Sequence, residues 1–293
     1  MNPNSSSSHK RQEPESSFLY IVGTPIGNLN DLSFRALNIL KNVSYIACED
    51  TRQTSKIMNK FLFKKNLISF NKINSFKKIP KIISDLNSGQ SIALVSDAGM
   101  PSICDPGEDL IKEAKSNNIN VVCIPGPCAA ITALVSSGLP SSKFIFEGFL
   151  PKKKSEREKI LIEISQNEKT TILFESPKRI KKLLIDLKNH CGGQREIQVY
   201  RELTKKFEEH IGFNIKDVIN HFEKIEIIGE LTIVIKGINR LKNESKISKS
   251  NLKKELQDLI NAGLSLPQSS KYLAKKYSLT KSIIYNLDKE YVN

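Results

Sequence analysis

The feature that most constrains this chain is an alternation. From residue 18 onward, apolar runs of four to six residues, rich in Val and Ile, are separated by longer segments with helical periodicity. Residues 18–22, 43–48, 92–95 and 121–124 read as strands, and 32–40, 51–61, 77–86 (Pro80 in the first turn) and 107–115 read as helices. Strands linked by helices return in the same direction, so this order predicts a parallel sheet with both faces covered. A second series follows residue 140, with strands at 144–146, 170–174, 196–200 and 231–235 and helices near 156–166, 178–189 and 214–222. The expected fold class is α/β, with two α/β domains at 18–139 and 140–237 and no repeat of fixed period.

The two ends read differently. Residues 1–17 are rich in Ser, Pro and charge, lack the apolar run of a secretion signal, and are expected to be a disordered, dispensable tail. Residues 238–250 form a polar, Lys-rich linker, and 251–262, 268–277 and 280–291 follow as three amphipathic helices of a helix-turn-helix-like module at 251–293. Residues 241–293 hold ten Lys against five Asp or Glu, a net of +5 that suits capture of a polyanion better than chemistry.

Residues 116–142 carry no charge, a length that could cross a membrane. Pro125, Gly126 and Pro127 interrupt the run and Gly138-Leu139-Pro140 closes it, so it reads as a buried strand, a turn and a buried helix, with no membrane partner expected. The 45 basic and 31 acidic residues leave a net charge of +14, which favours RNA, an acidic membrane surface or a polycarboxylate ligand. With 37 Lys to 8 Arg, the excess is that of a solvated surface more than of bidentate phosphate readout. Five cysteines without a C-x-x-C pair suggest reduced thiols in the cytoplasm, and four His without H-E-x-x-H spacing suggest no metal. A G-x-S-x-G elbow is also missing, so serine-hydrolase chemistry lacks support.

Parallel sheets bind ligands at the carboxyl ends of their strands, so the loops there are the places to search. Gly23-Thr24-Pro25-Ile26-Gly27-Asn28-Leu29 matches neither G-x-G-x-x-G nor a P-loop, which disfavours a phosphate-cradling nucleotide site. The eleven residues 97–107 exceed an ordinary strand-to-helix connection and read as a binding loop, in which Asp97 and Asp105 accept bonds from a ligand or cap the turn. Pro125-Gly126-Pro127-Cys128-Ala129-Ala130 opens a helix with small residues, either for a ligand or for tight helix–sheet packing. Residues 48–54 gather Glu49, Asp50 and Arg52 at a helix start, where acids are favoured in any case. Similar clusters recur at Glu175-Ser176-Pro177-Lys178-Arg179 and Arg201-Glu202-Leu203-Thr204.

Taken in order, GTPIGNL from 23, ACEDTRQT from 47, SDAGMPSICDPG from 96, IPGPCAAITALVSSGLP from 124, FEGFLP from 146, FESPKRI from 174 and RELTKKFEE from 201 resemble one family. It is the ribosomal RNA small subunit methyltransferase I family of the tetrapyrrole methylase superfamily, and the likeness spans residues 18–237. The resemblance implies S-adenosylmethionine (SAM) in a cleft between the two α/β domains, a homodimer, and 2′-O-methylation of a decoding-site cytidine ribose. The implied partner is small-subunit ribosomal RNA or the assembled small subunit. By the same likeness, SAM lies against Asp97, Ala98, Gly99, Pro101 and Ile103, with Cys128 and Ala129 opposite and Phe174, Leu203 and Leu231 from the second domain. A ligand without phosphates needs no P-loop, which agrees with the residue-level reading. The chain departs from the family where a His-x-His-Asn-Glu run is usual: it has Asn71-Lys72-Ile73-Asn74-Ser75 and keeps only the Asn.

Transfer to a ribose hydroxyl is an in-line displacement by a poor acid, so orientation and a proton acceptor must supply the acceleration. Glu49 or Asp50 is expected as acceptor, with Arg52 as a phosphate or ribose clamp; on the other reading the three form a structural ion pair. Glu175, Glu202 and Glu230 are the reserve candidates. Two other functions stay open: methylation of a tetrapyrrole or other small polyanion, and noncatalytic RNA binding through Lys152, Lys153, Lys154, Arg157 and Lys159.

Overall fold

The computed structural model describes residues 13–239, 249–277, 279 and 281–289. Strands β1 (Phe18–Val22) and β2 (Tyr45–Cys48) are buried on both faces, apart from the half-buried Phe18 at the start of β1. Such strands need a helical layer on each side. Tyr20, Val22, Ile46 and Cys48 pack with α1 (Phe34–Asn42) and α2 (Thr51–Lys60), whereas Leu19, Ile21, Tyr45 and Ala47 pack with α3 (Ser75–Asn87) and α4 (Glu108–Ser116). The alternation along each strand thus sorts the side chains into two cores. With β3 (Leu67–Ser69), β4 (Ile92–Val95) and β5 (Asn120–Ile124), the sheet runs β3-β2-β4-β1-β5 and is parallel throughout.

Strand β3 escapes a sequence reading because three residues are too few to show a period. Helix α3 starts two residues earlier than expected, which puts Pro80 inside it and leaves the Phe76 carbonyl without its intrahelical donor. The uncharged run does form a strand and a helix, β5 and α5 (Ala129–Ser137). The strand is not buried, however: it is the sheet's edge, with Asn120 and Cys123 exposed.

The second sheet contains β6 (Phe144–Phe149), β7 (Thr170–Glu175), β8 (Glu196–Arg201), β9 (Glu209–Asn214) and β10 (Leu231–Ile235), in the order β6-β7-β10-β8-β9. Only β6 and β7 pair in parallel; the other neighbours are antiparallel. Strand β9 was not expected, because its sequence Glu-His-Ile-Gly-Phe-Asn buries only Ile211, as befits an edge. One face of the sheet packs on α6 (Lys154–Gln166), α7 (Pro177–Cys191) and α8 (Ile215–Glu223). The other face presents Ile172, Tyr200 and Val234 to Ala130, Ala133 and Leu134 of α5. Helix α5 is therefore the wall the two sheets share, and its alanines let the second sheet approach closely.

Three helices, α9 (Lys249–Asn261), α10 (Leu266–Tyr277) and α11 (Lys281–Lys289), bury Leu252, Leu256, Leu273, Ile284 and Leu287 in a core of their own. Most of the expected linker, 240–248, and the end of the last expected helix lie outside the described residues, as do 1–12 of the expected tail. Residues 13–17 are not a free tail. Glu13 forms an ion pair with Arg35 at 2.6 Å, and the Glu15 N–H donates to the Tyr20 hydroxyl at 2.8 Å. Among the described residues, no helix is long and apolar enough to cross a membrane.

The loops leaving β1, β4 and β5 are fastened to one another. Thr24 N–H donates to the Gly99 carbonyl at 2.9 Å and Gly99 N–H to the Thr24 carbonyl at 3.1 Å. Gly23 and Gly126 meet backbone to backbone, and a Cβ added at Gly126 would lie 2.7 Å from the Gly23 Cα. Nothing flexible can yield there. Gly126→Ala is expected to cost about 1–3 kcal/mol through overpacking, read in thermal denaturation as a fall in melting temperature of about 3–10 °C.

Candidate active site at the junction of the two sheets

Carboxyl-end loops of the first sheet face the second sheet across a cleft of about 400 Å³. Asp97, Ala98, Gly99 and Ile103 line it from the long loop after β4, and Cys128 and Ala129 from the start of α5. Phe149, Phe174, Glu175 and Leu231 line it from the second sheet. Phe174 meets Phe146 and Phe149 edge-on, at centroid distances of 5.0 and 5.7 Å, which makes that wall a rigid aromatic surface. Gly99 has φ +82°, a conformation that the turn requires and that side chains disfavour.

A second, open recess adjoins the cleft and shares Glu49 and Asp97 with it. Asp50, Arg52, Ser69, Asn71 and Lys72 complete this recess. The two neighbouring carboxylates of the Glu49-Asp50 pair are held in opposite conditions. Asp50 caps α2 by accepting from the Arg52 N–H at 2.8 Å, and the Arg52 guanidinium grips it at 2.6 Å. That guanidinium holds the Asp50 carboxyl down at about 2. Burial pushes Glu49 the other way, above the usual carboxylate range, with Asp105 and Asp97 adding to the rise and Lys72 opposing it. Asp97 and Asp105 are likewise raised, mainly by burial. The Asp50 N–H donates to Asp97 Oδ1 at 2.9 Å, so one turn orients both acids.

The segment that departs from the family pattern forms the recess's far side. Asn71 Oδ1 accepts from the N–H groups of Ile73 and Asn74 at 3.0 and 3.1 Å, and Asn74 Nδ2 donates to the Ser69 carbonyl at 3.2 Å. The retained Asn thus shapes the turn. Lys72 is the member that brings charge, and its Nζ donates to the Cys104 carbonyl at 2.8 Å, tying the recess to the cleft loop.

Of the other expected site residues, Pro101 and Leu203 are buried behind the walls rather than on them. Asp50 and Arg52 belong to the recess alone. Glu202 and Glu230 pair with Lys205, at 2.8 and 3.1 Å. Glu175 is fully enclosed between Arg179, at 3.2 Å, and Arg157, at 3.8 Å, and its Oε2 lacks a hydrogen-bond donor. Arg157 is itself buried, which removes it from the surface Lys run with which the sequence grouped it. Met100, Phe149 and Gly229 also line the cleft. Phe149 belongs to the FEGFLP run, whereas Gly229 sits in a stretch with no motif to announce it.

Among the described residues, neither Lys nor Arg lines the cleft, while Glu49, Asp97 and Asp105 do, besides Glu175 and Glu230, which Arg and Lys neighbours behind the lining balance. An acidic, largely apolar cavity suits a cationic sulfonium nucleoside and not a phosphorylated one. The residues present therefore fit SAM.

Residues 18–219 match the family model Tetrapyrrole (Corrin/Porphyrin) Methylases. Among solved structures, cobalt precorrin-4 methyltransferase CbiF is similar at a TM-score of 0.58 and 15% identity, covering 75% of this chain and 95% of its own. Uroporphyrin-III C-methyltransferase from Thermus thermophilus, complexed with S-adenyl homocysteine, has a TM-score of 0.53 at 15% identity, covering 74% and 96%. The fold is that of a tetrapyrrole methylase. Closer relatives in sequence include ribosomal RNA small subunit methyltransferase I of Synechocystis sp., 40% identical over 93% of this chain and 97% of the relative. The protein of that name from Thermotoga maritima is 45% identical over 75% of this chain and 98% of the relative. The chain belongs to the ribosomal RNA small subunit methyltransferase I family.

If the cleft holds the methyl donor, Gly99→Leu costs about 1–3 kcal/mol of folding stability at positive φ and, because the new side chain stands in the cleft lining, lowers SAM affinity. Calorimetry without added metal measures it, and unchanged affinity would put the ligand elsewhere.

Proposed function

We propose that this protein methylates the 2′-hydroxyl of a cytidine ribose in small-subunit ribosomal RNA, using SAM. The observation that carries this reading is the shared edge between the acidic cleft and the open recess, where Glu49 borders both. A donor pocket and an acceptor pocket that meet at the carboxylates of Glu49 and Asp97 have the layout a direct transfer needs. The names of the relatives support ribosomal RNA as the substrate, and Arg52 and Lys72 give the recess two cations for a nucleotide's phosphates.

Asp97, Ala98, Gly99, Ile103, Cys128, Ala129, Phe174 and Leu231 would hold SAM, which supplies an electrophilic methyl group on a sulfonium. Glu49 would accept the proton of the ribose hydroxyl. Its raised proton affinity makes it a stronger base than Asp50, which Arg52 keeps ionised. Asp50 instead caps α2 and holds Arg52 and Asp97 in place. The proposal includes a homodimer, for which the edge strand β5 and the exposed Ile131 and Val135 of α5 offer surface, and a cytoplasmic setting. The C-terminal helices serve RNA capture.

Glu49→Gln is expected to slow single-turnover methyl transfer about 10²–10⁴-fold with SAM affinity kept. Asp50→Asn, which still caps a helix, should cost less than about tenfold. Equal losses would remove Glu49 from the role of base. The rate needs ionised Glu49, so it falls as pH drops through that raised value, above the ordinary carboxylate range. Lys72→Met moves this acidic limb to higher pH, and Lys72→Arg restores it.

Deleting residues 238–293 should preserve SAM binding and weaken RNA binding, with a shallower salt dependence. An unchanged salt slope in the truncated protein would end the capture role.

A further inference from the structure

Helix α2 joins two hollows. Its first turn carries Arg52 into the acceptor recess, and its last residue, Lys60, lines a second open hollow with Asn28, Thr204, Lys205 and Lys206. Arg52, Lys56 and Lys60 follow one another at four-residue spacing, so they share a face of the helix, about 12 Å from first to last. All three are exposed, while Thr54 and Ile57 bury the opposite face in the core. The helix has no Asp or Glu within its span. Neither Lys56 nor Lys60 forms an ion pair among the described residues. Like charges four apart weaken a helix; Asp50 offsets this at Arg52 and the helix dipole at Lys60, so the row is only partly balanced within the fold. An anion lying along it would complete the balance.

We propose that the outer face of α2 is a track for the sugar–phosphate backbone of single-stranded RNA, running from the hollow at Lys60 to the recess at Arg52. The inference rests on the reading of the acceptor as an RNA ribose. A polyanion with regularly spaced charges is the occupant that a straight row of cations at about 6 Å intervals fits. The track enters the recess beside Glu49, so the strand laid on it delivers a ribose to the edge of the cleft. Lys205 is already bridged to Glu202 and Glu230, which leaves Lys56, Lys60 and Lys206 as the added phosphate contacts.

The test measures binding of a small-subunit ribosomal RNA transcript across a salt series, by the full chain and by Lys56→Gln/Lys60→Gln. Losing two contacts to a single strand should flatten the slope of log affinity against log salt by about 1.4. Affinity should fall about tenfold or more near 0.1 M salt, with SAM affinity and the rate at saturating RNA unchanged. Lys112→Gln/Lys115→Gln removes the same charge from α4, on the other face of the first sheet, and should leave the slope almost as it was. An unchanged slope in the α2 variant, equal flattening in the α4 variant, or equal displacement of RNA by polyglutamate would each overturn the track. Methyl incorporation by the unaltered chain is assayed on the same transcript. Its absence both there and on assembled small subunits would defeat the RNA methylation reading, whatever the slopes.

Discussion

The site depends on the paired hydrogen bonds between Thr24 and Gly99. Two backbone bonds, with the buried Thr24 hydroxyl donating to the Ser96 carbonyl at 3.2 Å, hold the loop after β1 against the start of the loop after β4. Asp97, Ala98 and Gly99 lie within that clasp, and so their position follows from it. The Gly23–Gly126 contact extends the clasp to the turn before α5, where only backbone atoms fit. Asp97 then receives the Asp50 N–H, which carries the same fixed geometry into the recess.

A second theme is the division of work between adjacent acids. Glu49 and Asp50 are neighbours in sequence and nearly equal as free side chains. One faces a desolvated cleft with two more carboxylates, and the other faces a guanidinium in open solvent. Environment alone raises the proton affinity of one and makes the other a helix cap. Lys72 belongs to this balance: it is the cation that the departing segment brings to Glu49 and Asp105.

The first sheet was legible because its central strands are buried on both faces, so each leaves an unbroken apolar run. The parts that escaped lie at edges. β3 is too short to show a pattern, β9 alternates around a single buried Ile211, and β5 looked internal because it lacks charge although one side is open. The site divides in the same way. Residues of the loops after β2 and β4 could be read from their turn chemistry, whereas Gly229 and Phe149 reach the cleft only because the second sheet folds over α5, a long-range event that no local motif encodes. Leu203 and Pro101 sit in conspicuous motifs yet are packed behind the walls. A motif marks a neighbourhood without saying which side chains face inward.

Helix α5 links two units that otherwise have separate cores, and the cleft has walls from both. A ligand seated there binds only the arrangement in which the units are apposed. Bound ligand then adds free energy to the junction itself, about 2.7 kcal/mol at a concentration one hundred times its dissociation constant. A methyl donor seated there would be a clamp as well as a reagent: amides near the alanines of α5 should exchange with solvent more slowly as donor concentration rises, while those deep in either separate core keep the protection that their own unit provides.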